Sequence, residues 1–291
     1  MSGQAGGRSE SGGQAGGRSE SGSPFQDLTT LERQGDDVFG ATIADTWTIG
    51  PKVHGGAMMA LCGAAAEQRL AVPDVLPLAV SANYLNAPDP GPVTLETVVR
   101  KQGRRVSHVD VVLSQNGKPA VRAVVTLGVP DSQAPRHTVG SSSMSASPPD
   151  DASAVAAGHP MAEIVHVATG CDMRIDPSSA HFLTGAVGES EIRLWVRPRP
   201  DDEADPTTAA LFAIMTGDIS PPATMNRGMF GWAPTVQLTT YLRRRPAPGW
   251  LRVVASSTVI GETWFEEDHT VVDSTGAVVV QSRQLAMVPF N

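Results

Sequence analysis

The chain has 291 residues, of which 41% are hydrophobic and 18% charged, enough apolar material for a sizeable core and too much for a wholly disordered protein. No stretch approaches the roughly 20 consecutive apolar residues that a membrane-spanning helix needs. The formal charge of −8 repels phosphate backbones on average, so nucleic acid is excluded as an expected partner. The two cysteines, Cys62 and Cys171, provide no disulfide framework. With no basic-then-apolar leader at the N-terminus, the expectation is a soluble cytoplasmic enzyme or binding protein.

The segment GQAGGRSESG occurs at 3–12 and again at 13–22 without a large apolar residue, so residues 1–23 read as a disordered tail. A second polar stretch, 131–158, is rich in Ser, Ala and Pro and reads as a linker. It separates an N-terminal body at 24–130 from a C-terminal body at 159–291. In the first body a strand-like run from Val38 to Ile49 precedes His54-Gly55-Gly56 and a helix of small residues over 56–70. Strands are predicted at about 78–87, 92–101, 105–115 and 119–129, the last two joined by Asn116-Gly117, a hairpin signal. In the second body a strand at about 190–197 leads to Asp205-Pro206, an N-cap with proline at the first helical position. A helix from Thr207 to Thr216 follows, then strands at about 234–243, 250–260, 263–273 and 277–288.

The order is therefore strand, helix, four strands, twice over. Tyr84 and Tyr241 fall alike in the first strand after each helix, and Gly117 and Gly276 mark the last hairpins, which favours an ancient duplication. A thin helix rich in Gly and Ala, followed by four antiparallel strands, suits a sheet curled around it, as in the hotdog fold. The fold class is thus α+β, with two tandem hotdogs in one chain, a double hotdog.

Common catalytic motifs are absent: there is no Walker A sequence, no dinucleotide fingerprint and no Gly-x-Ser-x-Gly elbow. The seven histidines show no metal-ligand spacing, and no metal or redox cofactor is expected. Polar residues of the second body attract notice instead. Asp218 follows Gly217 at the end of an apolar helix, where the negative end of the dipole disfavours the carboxylate and makes it a better base. Gln284 shares a strand face with Val278, Val280, Ser282 and Ala286, and a buried amide needs a partner. Thr235 opens the first strand after the helix. Each also has a plain structural reading, as a helix stop, a strand-end amide bonded to backbone, and a β-former after Pro234. The two glycines of His54-Gly55-Gly56 leave backbone N–H groups bare at a helix start, able to polarise a carbonyl or meet phosphate, or else serve a close-packed turn.

These stretches, with Asn116-Gly117-Lys118-Pro119, Cys171-Asp172, Leu194-Trp195-Val196-Arg197 and Val279 to Val288, together resemble the double-hotdog acyl-CoA thioesterases of the thioesterase II type. The resemblance covers about 25–130 and 165–288. It implies hydrolysis of fatty acyl-CoA to free fatty acid and coenzyme A, with a water held by an Asp, a Thr and a Gln at the positions of Asp218, Thr235 and Gln284. Single-hotdog thioesterases with a His-Gly-Gly at this point look similar, which points to substrate contact at His54, Gly55 and Gly56. Because paired hotdogs often associate, a homo-oligomer of double-hotdog chains is expected. A thioester's leaving thiol has a pKa near that of cysteine, about 8.5, and needs no strong general acid. The first half has no Asp after its helix and carries Val125-Thr126 where the second has Gln284, so one centre per chain is expected. Two alternatives share the architecture: a non-catalytic acyl-CoA or acyl-carrier binding protein, and a hotdog enoyl-CoA hydratase, for which no Asp-x-x-x-x-His stretch stands at either helix.

Overall fold

The computed structural model describes residues 22–138, 142–156 and 158–289. The predicted tail, apart from Gly22 and Ser23, lies outside them. The chain begins with a short helix, α1 (Pro24–Thr29), then β1 (Glu32–Arg33), β2 (Val38–Ile43) and a small hairpin of β3 (Thr48–Ile49) and β4 (Lys52–Val53). Helix α2 (Gly55–Leu70) follows, and after it β5 (Leu76–Tyr84), β6 (Gly91–Lys101), β7 (Ser107–Gln115) and β8 (Lys118–Gly128). The second half holds β9 (Ser153–Ala154), β10 (Cys171–Ile175), β11 (Glu191–Pro198), α3 (Pro200–Ala204) and α4 (Pro206–Met215). It ends in β12 (Thr235–Leu242), β13 (Leu251–Ser256), β14 (Trp264–Val272) and β15 (Val278–Met287).

Local chemistry accounts for the main elements. The Asp205 carboxylate caps α4 by accepting from Thr208 N–H at 2.7 Å, with Pro206 opening the helix. Asn116 and Gly117 both have positive φ, 51° and 73°, which suits the tight turn between β7 and β8. Residues Gly56 to Ala66 of α2 are all buried. A helix buried on every side has no polar face to turn outward, and its Gly and Ala residues let the sheet come close.

Thirteen strands form one antiparallel sheet in the order β1-β2-β6-β7-β8-β5-β12-β15-β14-β13-β11-β10-β9. Apart from the edge strand β9, that order is symmetric about the central β5·β12 pair, each half curling round its own helix, which is the double-hotdog arrangement. The symmetry holds residue by residue. Ser81 and Thr239 face each other across the central pair, their hydroxyls 2.9 Å apart. Counting outward from them, a β-bulge falls at Pro77–Ala79 in one half and at Thr235–Gln237 in the other.

Three expectations need correction. Tyr84 and Tyr241 do not match: counting from Ser81 and Thr239, Tyr241 is the counterpart of Asn83. Tyr241 lies on the outer face, 46% exposed, whereas the Tyr84 hydroxyl donates inward to Gly55 O at 3.0 Å. The run from Val38 to Ile49 is not one strand but breaks after Ile43 into a single turn that buries Trp47. Within the expected linker, Met144, Ala152 and Val155 are buried, and Ser153–Ala154 pairs with β10. Met144 O and Ser145 O accept from Arg252 Nη1 and Trp195 Nε1, so backbone carbonyls strap this segment to the second half. Helix α1 was not foreseen. Its Phe25 packs edge-on between Trp47 and Phe212, and its first N–H groups, of Phe25 and Gln26, donate to the buried Asp202 carboxylate at 3.1 and 2.8 Å.

Candidate active site

The N-terminus of α2 meets the C-terminus of α4 between the two halves. His54 caps α2: its Nδ1 accepts from Ala57 N–H at 3.3 Å, which leaves the ring proton on Nε2, and Nε2–H donates to the main-chain oxygen of Asp218 at 2.8 Å. Both ring nitrogens are thus engaged within the protein. Gly55 and Gly56 admit the second half at close range. A Cβ on Gly55 would lie 2.6 Å from Asp218 Oδ2, and one on Gly56 would lie 2.5 Å from the carbonyl oxygen of Met215.

Asp218 ends a single turn of 3-10 helix that continues α4. Gly217 before it lies so close to the sheet that a Cβ would sit 2.9 Å from Thr240 Oγ1, while its carbonyl accepts from Ser282 Oγ at 2.6 Å. Burial pushes the Asp218 carboxyl above its ordinary value, opposed by the nearby His54 ring and by the N–H of Gly56. The carboxylate therefore lies at the unfavourable end of α4 and the favourable end of α2. Only the first of these fields is visible in the local sequence.

Thr235 lies on the β12 bulge, and a bulge re-aims side chains. Its hydroxyl donates to Gln284 Oε1 at 2.6 Å. Gln284 is buried on β15, and its Nε2 faces Oε1 of Glu267, its cross-strand partner on β14, at 3.4 Å. Asp218, Thr235 and Gln284 line one cavity of about 760 Å³, together with His54 and Gly55; Gly56 lies beneath that wall, buried. Its apolar lining includes Met58, Met161, Met173, Phe230 and Trp232, and Tyr84 closes one side.

Sequence reasoning missed a second buried carboxylate in the same cavity. Glu267 is 1% exposed; Oε2 accepts from Ala223 N–H at 2.6 Å and Oε1 from Ser220 Oγ at 3.0 Å. Ser220 Oγ in turn lies 2.9 Å from His269 Nε2. Burial raises the Glu267 carboxyl to about 7, aided by the charge of Asp218 and opposed by the Ala223 and Ser220 hydrogen bonds. Burial lowers His269 to about 4, so His269 is neutral near pH 7. The available signal was alternation: in Glu266-Glu267-Asp268 only the middle residue shares a strand face with Phe265, His269 and Val271, all buried.

The matched positions of the first half are apolar. Leu238, Gln284 and Glu267 form one rung of the second half, and its counterpart in the first is Val80, Val125 and Val109. The next rung holds Thr240, Ser282 and His269 where the first half has Ala82, Ala123 and Val111. At these two rungs the polar side chains are confined to one side of the pseudo-symmetric pair.

Comparison with known proteins agrees with this architecture. A family model described as the acyl-CoA thioesterase N-terminal domain matches residues 43–128, and one described as the acyl-CoA thioesterase C-terminal domain matches 145–288. Uncharacterized proteins of Mycobacterium bovis and Mycobacterium tuberculosis are 46% identical over 278 residues, covering 87% of this chain and 91% of theirs. Among solved structures, a candidate thioesterase II from Thermobifida fusca is 26% identical with a TM-score of 0.80, covering 91% of this chain and 99% of that one. A hot dog fold protein from Alicyclobacillus acidocaldarius, 19% identical with a TM-score of 0.74, covers 92% of this chain and 98% of its own. No helix among the described residues is long and apolar enough to cross a membrane.

Proposed function

Since the chain belongs to the acyl-CoA thioesterase family, we propose that it hydrolyses fatty acyl-CoA to free fatty acid and coenzyme A with a water held by Asp218, Thr235 and Gln284. The single observation that carries this reading is that those three side chains, drawn from three separate stretches, line the same largely apolar cavity. Asp218 takes a proton from the water as its oxygen bonds to the thioester carbon. The tetrahedral adduct then collapses, the carbon–sulfur bond breaks, and the sulfur leaves as thiolate or takes the proton back from Asp218. Thr235 and Gln284 fix the direction of attack, and such positioning can supply several kcal/mol of the barrier reduction. A carboxylate whose proton affinity is raised by burial is a stronger base than one in water. No acyl-enzyme forms.

The test is release of free thiol from purified protein given decanoyl- or palmitoyl-CoA. Wild type should turn over steadily, and Asp218→Asn should lose at least about 100-fold in kcat while still binding substrate. Undiminished turnover in that variant would remove Asp218 from the mechanism; no release from wild type would return the protein to acyl-CoA binding alone.

A further inference from the structure

Glu267 has no place in a mechanism built on Asp218, Thr235 and Gln284, yet it is buried in the wall of their cavity. Among the described residues, the hydrogen bonds made to its carboxylate all come from donors. Ala223 N–H reaches Oε2, while Ser220 Oγ–H and Gln284 Nε2–H reach Oε1. Neutral His269 supports this polarity: with the ring proton on Nε2 it donates to Ser220 Oγ, which obliges the Ser220 hydroxyl to give its own proton onward to Glu267. An ionised carboxylate can only accept, so it selects the N–H side of the Gln284 amide. The oxygen of that amide is thereby turned to Thr235, whose hydroxyl proton is taken up by Gln284 Oε1. The Thr235 lone pairs and the second Nε2 proton are left for a water in the cavity.

We infer that Glu267 is the positioning residue of this site, its carboxylate fixing the Gln284 amide, and through it the Thr235 hydroxyl, in the one orientation that presents an acceptor and a donor to the attacking water. The inference rests on the hydrolytic reading above. Placing an amide at 267 removes the selection. Gln284 can then turn over, present Nε2 to Thr235 and reverse the hydrogen-bond polarity of both groups. The groups facing Glu267 are Asp218 and Ser220 from the turn after α4, Gln284 from β15 and His269 from its own strand. His54 stands behind Asp218, and Asp268 points outward to Arg283.

The test is the pH profile of thiol release from decanoyl-CoA by wild type, Glu267→Gln and Ser220→Ala. Glu267→Gln should lower kcat by about 100-fold with KM changed less than about threefold, and should move the acid limb down, because the titrating group and its repulsion of Asp218 are both gone. Ser220→Ala keeps the carboxylate but removes a hydrogen bond to its ionised form, so the acid limb should move up. A Glu267→Gln enzyme within about threefold of wild type in kcat overturns the inference. So does an acid limb that moves in neither variant, since a merely structural role lowers stability without shifting it. If Glu267→Gln fails to fold, the Ser220→Ala limb decides alone. Silence of wild type itself on every acyl-CoA is a different outcome, which strikes the proposed function.

Discussion

Gly55→Ala separates the site's geometry from the stability of its fold. The added methyl would lie 2.6 Å from Asp218 Oδ2 and 3.4 Å from the Tyr84 ring. Ordinary contact distances require the carboxylate to retreat by at least about half an ångström. Asp218 cannot do so as a whole, because its main-chain oxygen is tied to His54 and Gly217 is pressed against Thr240. The side chain must swing, giving up the Gly56 N–H and its aim at the water of the proposed mechanism. A misplacement approaching 1 Å can cost about 100-fold in rate, so kcat should fall by roughly 30- to 100-fold with KM little changed. Stability should stay within about 1 kcal/mol of wild type, since alanine's helix propensity offsets part of the strain. Gly63→Ala is the control: the nearest atoms to its methyl would be Leu211 Cδ2 and Pro77 Cγ, both at 3.3 Å and away from Asp218, and kcat should be unchanged. Both variants are measured by thiol release and urea denaturation. A folded Gly55→Ala enzyme with wild-type kcat would refute the placement of Asp218.

Three further outcomes follow from the same contacts. His54→Ala removes both the α2 cap and the tether on Asp218, and should cost about 1–2 kcal/mol together with most activity; His54→Asn restores a cap acceptor and should recover stability without recovering kcat. The Glu267 carboxyl, raised from 4.5 to about 7, holds its proton in the folded state over a pH range where the unfolded chain has lost it. Wild-type stability should therefore fall as pH rises from 4.5 to 7, by up to about 3 kcal/mol, and urea denaturation of Glu267→Gln across that window should show this component of the slope gone. Asp202→Ala deprives α1 of its anchor and should cost about 1–3 kcal/mol, with hydrogen exchange accelerated first over residues 24–30.

Most regular elements were legible because their signals are local. Asn116-Gly117 fixes a hairpin, Asp205-Pro206 starts a helix, and apolar alternation marks the strands to within a few residues. What escaped depends on partners far away in sequence. Helix α1 is too short to stand by itself and is held by Asp202, 177 residues from Phe25. The strap that includes Met144 binds through carbonyls, which no side-chain composition reports. At the site, Asp218, Thr235 and Gln284 each had a plain local reading, and family resemblance was what joined them. Glu267 stayed hidden because an acidic run usually lies in water; alternation with Phe265, His269 and Val271 marks which of the three neighbours faces inward, and its cross-strand register with Gln284 shows what it meets there. The supposed match of Tyr84 with Tyr241 failed for the same reason, since a slip of one residue in a strand turns the side chain to the other face.

The matched rungs of the two halves differ in polarity. In the first, the rungs of Val80, Val125 and Val109 and of Ala82, Ala123 and Val111 are buried and carry no polar side chain to satisfy. In the second, the matching rungs bury a carboxylate, an amide, an imidazole and two hydroxyls. Among the described residues His269 Nδ1 and Thr240 Oγ1 have no hydrogen-bond partner, and each such unpaired buried group costs about 1–3 kcal/mol. Converting Val125 alone to Gln in the first half would add one more unpaired amide, because Val109 supplies no acceptor and Pro77 replaces the Thr235 hydroxyl. A second centre would require those positions, and a carboxylate beyond α2, to change together. Each single step would be destabilising and without catalytic return, so the polar rungs persist on one side and the apolar core on the other.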